Sequence, residues 1–312
     1  MTVKAAAHAS MPLYYHDLYT DGIHPDARFP RDRYRRIREA LLALESPATI
    51  DIRVAPDCDE AWLHLAHDPD YIRRFLANEM DTKERRRIGL RPWTDLLIPR
   101  TRHIVGGAVA ALRSAIATGG LAGNMAGGTH HAHRDFGSGY CVFNDLAICA
   151  LLALDEGWAQ RVLILDLDVH QGDGTAAILR GHPDVLTVSI HCQANFPLRK
   201  VDSDLDIGLA VGTDDAAYDE TLSAVLRQVR AYEPDLVLYQ AGVDPLVSDR
   251  LGRMNLTHQG LRTRNRRVFD QVREWDVPCV VFMGGGYSDP IDPTVAAFVD
   301  VFAQAATSHA AR

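Results

Sequence analysis

Short apolar runs alternate along the chain with longer segments in which apolar residues recur every three or four positions. The runs at 12–15, 50–54, 121–126, 162–167, 185–190, 235–241 and 278–283 are short and mostly rich in branched residues, as buried strands are. The segments 32–45, 59–66, 69–78, 101–117, 144–156, 214–232, 257–275 and 292–306 carry the helical period. In 214–232, Leu222, Val225, Leu226 and Val229 fall at steps of three and four. Asp214 and Asp215 stand at its start, where acidic side chains suit the helix dipole. Residues 278–283 are apolar throughout and stop at three glycines, the pattern of a strand covered on both faces. Strand–helix alternation over the whole length predicts an α/β fold, with a mostly parallel sheet between two helical layers in a single domain. Residues 79–100 and 193–213 predict long irregular loops that frame a binding site.

Open α/β sheets bind ligands at the carboxyl ends of their strands, and the unusual polar residues collect there. Gly127-Gly128-Thr129-His130-His131 follows 121–126. Asp168, His170 and Asp173 follow 162–167, and His191 follows 185–190. Asp244 follows 235–241, and Gly284-Gly285-Gly286-Tyr287 follows 278–283. The run VLILDLDVHQGDG is the most telling, because a buried strand there ends in Asp166, Asp168 and His170, two apart. Side chains at i and i+2 share one side of a strand, about 6.6 Å apart along it. With Asp244 from another strand, Asp168 and His170 make a three-ligand metal site with an open position, the arrangement of a catalytic zinc. One nitrogen and two carboxylates also accept Fe²⁺, Mn²⁺ or Co²⁺. The bland alternative is that Asp168 and Asp244 cap the helices that follow.

Adjacent histidines on a turn supply an acid and a base for attack of water on an amide, provided that carboxylates fix their tautomers. Asp166 and Asp173 are available for His130 and His131, because the metal does not need them. Tyr287, behind three glycines, offers a phenol to a developing oxyanion. Gly172-Asp173-Gly174 is no phosphate loop, and the three glycines lack nucleotide-site spacing. Cys141 reads as a packed thiol.

Composition narrows the class. Apolar residues make up 47% and charged residues 24% of the 312, enough for a sizeable core. A net charge of −8 argues against nucleic-acid and membrane partners and weakly favours a cationic substrate. The basic runs Lys83–Arg87 and Arg262–Arg267 read as solvated faces. Five cysteines without a CxxC pair fit a reducing compartment. The first fifteen residues lack a signal-peptide apolar run, so a cytoplasmic protein is expected.

The segments GGTHHAHRDFGSGYCVFND, VLILDLDVHQGDGT, TVSIH, LYQAGVDPLVSDRLG and MGGGY together resemble the histone deacetylase family of the arginase/deacetylase fold, over about residues 10–300. HQGDG and VDPLVSDRLGRMNLT look most like its class IV branch and bacterial relatives. The resemblance implies that Asp168, His170 and Asp244 bind Zn²⁺. It makes His131 the general base and acid with Asp173 behind it, and His130, backed by Asp166, an electrostatic support. Tyr287 would polarise the acyl carbonyl. Gly139, Tyr140 and Phe196 would line an acyl-lysine channel, with Leu251 near its mouth and Gly285 and Gly286 beside the substrate. A structural K⁺ would sit on Asp166, Asp168, His170, Ser189 and Ile190.

The implied function is zinc-dependent removal of an acyl group from an acyl-lysine protein or peptide. A second reading with the same chemistry is an acetylpolyamine or other small-molecule deacylase. A dimanganese, arginase-like hydrolase is disfavoured, because Gln171 and Gly172 follow His170 and leave too few ligands for a second catalytic metal. A silent acyl-ligand binding protein would not need the full set of ligands, histidines and tyrosine.

Overall fold

The seven predicted runs and one further segment become strands in the computed structural model, which describes residues 10–44 and 50–312. They are β1 (Met11–Tyr15), β2 (Ile50–Val54), β3 (Leu121–Asn124), β4 (Val162–Asp166), β5 (Val185–Cys192), β6 (Leu205–Leu209), β7 (Leu236–Gln240) and β8 (Cys279–Phe282). They form one sheet in the order β2-β1-β3-β8-β7-β4-β5-β6, and every neighbouring pair is parallel. The strands β1, β3, β4, β7 and β8 are buried along their whole length, which accounts for their lack of polar alternation.

The helices are α1 (Leu18–Asp21), α2 (Arg33–Leu42), α3 (Glu60–Ala66), α4 (Pro69–Leu76), α5 (Thr82–Ile88), α6 (Leu97–Thr118), α7 (Asp145–Asp155), α8 (Asp173–Leu179), α9 (Asp215–Val229), α10 (His258–Trp275) and α11 (Asp292–Ala310). In one layer α9, α10 and α11 pack in succession; α6, α7 and α8 do so in the other. The predicted three-layer α/β architecture is therefore present. The predicted helix 32–45 ends at Leu42, and its last position, Glu45, lies outside the described residues, as do nine of the fifteen N-terminal residues read for a signal peptide. No helix among the described residues is long and apolar enough to cross a membrane.

Three expectations need correction. Residues 79–100 hold α5, whose run TKERRRI has no apolar period and buries only Ile88. Its stability signals are local: Asp81 and Glu84 form a capping box, and Gly89 ends the helix at φ +87°. The same region also starts α6, with Pro99 in the first turn, where a proline costs no hydrogen bond. Residues 193–213 hold edge strand β6, Leu-Asp-Ile-Gly-Leu, whose composition is poor for a strand. Pairing with β5 from Val188–Leu205 to Cys192–Leu209 makes it one. Finally, Arg264 is no solvated residue. It is 1% exposed and donates to the carbonyls of Leu167, Ala241 and Gly242, just beyond β4 and β7.

The strand order sets the carboxyl ends of β3, β8, β7 and β4 side by side. Four of the five segments that carry the candidate chemistry leave the sheet there; His191, the fifth, lies within β5.

Candidate functional site

Strand β4 stops at Asp166, and the next residues turn rather than extend. The i, i+2 alignment of an extended strand therefore does not hold beyond Asp166. Asp166 Oδ1 accepts the Asp168 N–H at 3.1 Å, and Asp168 Oδ1 accepts the His170 N–H at 3.0 Å. Each carboxylate thus shapes the turn that aims the next side chain. His170 Nδ1 lies 3.0 Å from Asp168 Oδ1 and 3.1 Å from Asp244 Oδ2. One ligand atom from each of the three residues falls within 4.8 Å of the others, and all three are buried. Neither aspartate caps a helix: Asp168 Oδ2 accepts from Gly285 N at 2.7 Å, and Asp244 Oδ1 from Val169 N at 2.8 Å.

Two buried carboxylates side by side call for a cation. Burial first, and then the charge of Asp168, push Asp244 up to about 7. A divalent ion at this donor set would relieve both penalties, so the residues present fit the metal. The glycines serve these carboxylates: a Cβ on Gly285 would lie 1.9 Å from Asp244 Oδ2, and one on Gly242 would lie 2.2 Å from Asp168 Oδ2. Gln171 turns away, donating to Val201 O and Asp206 Oδ1, both at 2.7 Å.

Both histidines of the pair meet the expected carboxylates. His130 Nδ1 lies 2.7 Å from Asp166 Oδ2, and His131 Nδ1 lies 2.7 Å from Asp173 Oδ1. Burial pulls His130 down, but the charges of Asp166 and Asp168 outweigh it and hold its pKa up at about 9. Burial and the neighbouring His130 charge lower His131 to about 4, so it is neutral at pH 7. Asp173 sits at the start of α8 and is held well below the ordinary carboxylate range by His131 and His133, against the effect of burial. Asp145 anchors the loop ahead of the pair, accepting from Gly128 N, Thr129 N and Thr129 Oγ1.

A cavity of about 650 Å³ opens onto this group. His130, His131, Gly139, Tyr140, Asp168, His170, Phe196, Leu251, Gly285 and Tyr287 all line it. Asp166, Asp173, Asp244, Ser189 and Ile190 do not line it, and all five are buried. Asp166 and Ser189 are register neighbours on β4 and β5. Gly286 does not line the cavity: a Cβ there would meet Val243, Thr294 and Phe298, so this glycine serves packing. Cys141 is a buried wall residue whose thiol burial pushes well above its ordinary value, as a packed thiol should be.

Several contributors escaped sequence reasoning. Arg33 on α2 is buried and donates to Gly284 O and Gly286 O; its guanidinium lies 5.4 Å from the Tyr287 ring centroid. Within a basic helical run nothing marks it out. Asp249 accepts from the N–H of Leu251, Gly252 and Tyr287, tying the glycine turn to the Leu251 loop. His133 Nε2 reaches the second oxygen of Asp173 at 3.0 Å; the third histidine in HHAH was the available signal.

His67 buttresses the same loop. It is fully buried, its Nδ1 donates to His133 O at 3.0 Å, and its Nε2 accepts from Asn144 N at 2.8 Å. Protonation would set an N–H against an N–H. Burial lowers its pKa from 6.5 to about 4, so between those values the unfolded chain binds the extra proton. Stability from neutral His67 is complete above the unfolded value and is lost as pH falls toward the folded one. The loss is about 3 kcal/mol. With both proteins stripped of metal, His67→Gln is expected to lose less stability than the parent between about pH 7 and pH 4.5 in urea denaturation. An equal loss in both would contradict this role.

A model of the histone deacetylase domain matches residues 27–302. The chain is 43% identical to an uncharacterised protein of Picosynechococcus sp., over 91% of this chain and 94% of that one. It is 30% identical to histone deacetylase 2 of rice, Oryza sativa subsp. japonica, over 88% of this chain and 58% of the relative. It is 31% identical to human histone deacetylase 1, over 71% of this chain and 49% of the relative. The chain thus spans about half the length of the curated histone deacetylases it matches. The domain match and the residues that line the cavity agree: this chain belongs to the histone deacetylase family.

Proposed function

We propose that this chain is a metal-dependent amidohydrolase of class IV-like type that removes an acyl group from N-ε-acyl-lysine. One observation carries the reading: Asp168 and His170 of the buried Asp168–His170–Asp244 cluster, the histidines of both His–Asp pairs and Tyr287 all line one cavity. A Zn²⁺ or Fe²⁺ ion on the cluster would polarise the acyl carbonyl and acidify a water. Asp173 fixes the proton of His131 on Nδ1, which leaves Nε2 free to take a proton from the attacking water. The same nitrogen then returns that proton to the departing lysine amine. Burial pushes the Tyr287 phenol well above its ordinary value, so it stays a donor for the carbonyl oxygen. His130, charged and backed by Asp166, adds positive potential beside the developing negative charge. The products are a carboxylate and a free amine. A potassium ion on Asp166, Asp168, His170, Ser189 and Ile190 would brace the turn, and the pairing of Asp166 with Ser189 supports this.

The test is hydrolysis of acyl-lysine peptides and acetylpolyamines by metal-depleted and metal-reloaded protein. Cleavage of an acyl-lysine peptide by the reloaded form alone is expected. Cleavage of polyamines only would move the assignment to the small-molecule reading.

A further inference from the structure

The chain as a whole is acidic, yet the mouth of its cavity is not. Among the described residues Asp168, at the floor, is the one carboxylate that lines the cavity, and it is 1% exposed. Two of the exposed lining residues are Arg87, in the last turn of α5, and Arg253, beyond the Leu251 loop. Neither has a carboxylate partner among the described residues, although Arg74 on α4 and Arg250 nearby both do. Arg87 is held in place from below: its guanidinium lies 4.5 Å over the Phe136 ring, which stacks on His133 at 4.3 Å. Two acids on the same segments as the arginines point elsewhere, while Asp135, next to Phe136 in the chain, is exposed. Asp249 is used up on backbone N–H groups, and Glu84 of α5 pairs with Arg74. Lys200 adds a further positive charge at the foot of the Phe196 loop, bound to the carbonyls of Asn195 and Pro197. On the same cavity wall, Phe196, Leu198 and Leu251 expose apolar surface.

With the acyl group in the channel, the α-carbon of an acyl-lysine and its flanking groups lie at this mouth. We infer that Arg87 and Arg253 select acylated amines that carry carboxylates, and that the mouth disfavours polycations such as acetylpolyamines. The inference rests on the deacylase reading. A guanidinium binds a carboxylate through directed, charge-assisted hydrogen bonds, and an unpaired one at a binding edge is free to do so. The carboxylate has two sources: acidic residues flanking the acyl-lysine in a peptide, or the α-carboxylate of free N-ε-acyl-lysine. The net charge of −8 favours cations at long range, but the charges at the mouth act at contact distance and are less screened by salt.

The experiment compares kcat/KM for acetyl-lysine peptides flanked by Asp, Ala or Lys, and for free N-ε-acetyl-lysine beside its α-amide. Parent, Arg87→Glu and Arg253→Glu proteins are measured at low and high salt. Binding of the same peptides to metal-depleted protein is followed by fluorescence anisotropy. The parent is expected to favour Asp over Lys flanks by about tenfold, less at high salt, with the preference reversed in the variants. A preference for the free amino acid over its amide, without a peptide preference, would identify the α-carboxylate as the source. Equal values for all flanks and for acid and amide overturn the inference while leaving the deacylase reading in place. If no compound is cleaved, that reading fails, and the anisotropy ratio still decides for or against charge selection.

Discussion

His131→Ala is expected to lower turnover of an acyl-lysine peptide by about 10²–10⁴-fold while the protein keeps its metal. The loss follows from the geometry of one hydrogen bond. Asp173 Oδ1 sits 2.7 Å from His131 Nδ1, which commits the proton to that nitrogen and presents Nε2 to the cavity. Burial and the charge of His130 keep the ring neutral at pH 7, the state a base needs. Tyr287→Phe removes a single oxygen and should cost about 10²–10³-fold, mainly in kcat, because the phenol serves an oxygen that gains charge only as water attacks. Both variants should bind one divalent ion per chain, since neither residue belongs to the ligand cluster. Metal content by mass spectrometry with steady-state kinetics checks both. Full activity in either variant would remove that residue from the mechanism.

Arg264→Leu is expected to destabilise the fold by about 3–5 kcal/mol. The guanidinium is buried and satisfies three carbonyls, of Leu167, Ala241 and Gly242, at 3.2, 3.1 and 2.6 Å. Leucine would fill part of the space and leave those acceptors dry. The three carbonyls belong to the segments that carry Asp168 and Asp244, so weaker metal binding should accompany the loss. Arg266→Leu, two positions away and exposed, serves as the control and should change stability by less than about 0.5 kcal/mol. Denaturant midpoints for the two variants decide; equal midpoints would make Arg264 an ordinary surface arginine.

The contrast between Arg264 and Arg266 shows where reading the sequence reached and where it stopped. Three strand ends were legible to within one residue: the predicted runs end at Leu167, Ala241 and Met283, and the strands at Asp166, Gln240 and Phe282. The cluster Asp168, His170, Asp244, the His130–His131 pair and Tyr287 were legible because polar side chains at those ends have no packing role. Arg33 and Arg264 lie inside basic helical runs, and only the fold tells the buried arginine from its solvated neighbours. Gly285 and Gly286 looked alike in sequence, yet one makes room for the Asp168 and Asp244 carboxylates and the other for Val243, Thr294 and Phe298. Strand β6 was hidden because its residues are poor strand formers, and its pairing with β5 is a tertiary fact. Helix α5 was hidden by its charges, although Asp81, Glu84 and Gly89 carried its cap signals in the open.

In the proposed reaction Asp168, His170 and Asp244 hold one catalytic ion at the floor of an acyl-lysine channel. Titrating metal-depleted protein with Zn²⁺ while following acetyl-lysine peptide hydrolysis tests it most directly, with Asp244→Asn run in parallel. Activity is expected to be absent without metal and to rise to a plateau at one equivalent per chain, and Asp244→Asn is expected neither to retain the ion nor to recover turnover. Hydrolysis at full rate by the metal-depleted protein, or by Asp244→Asn, would contradict it.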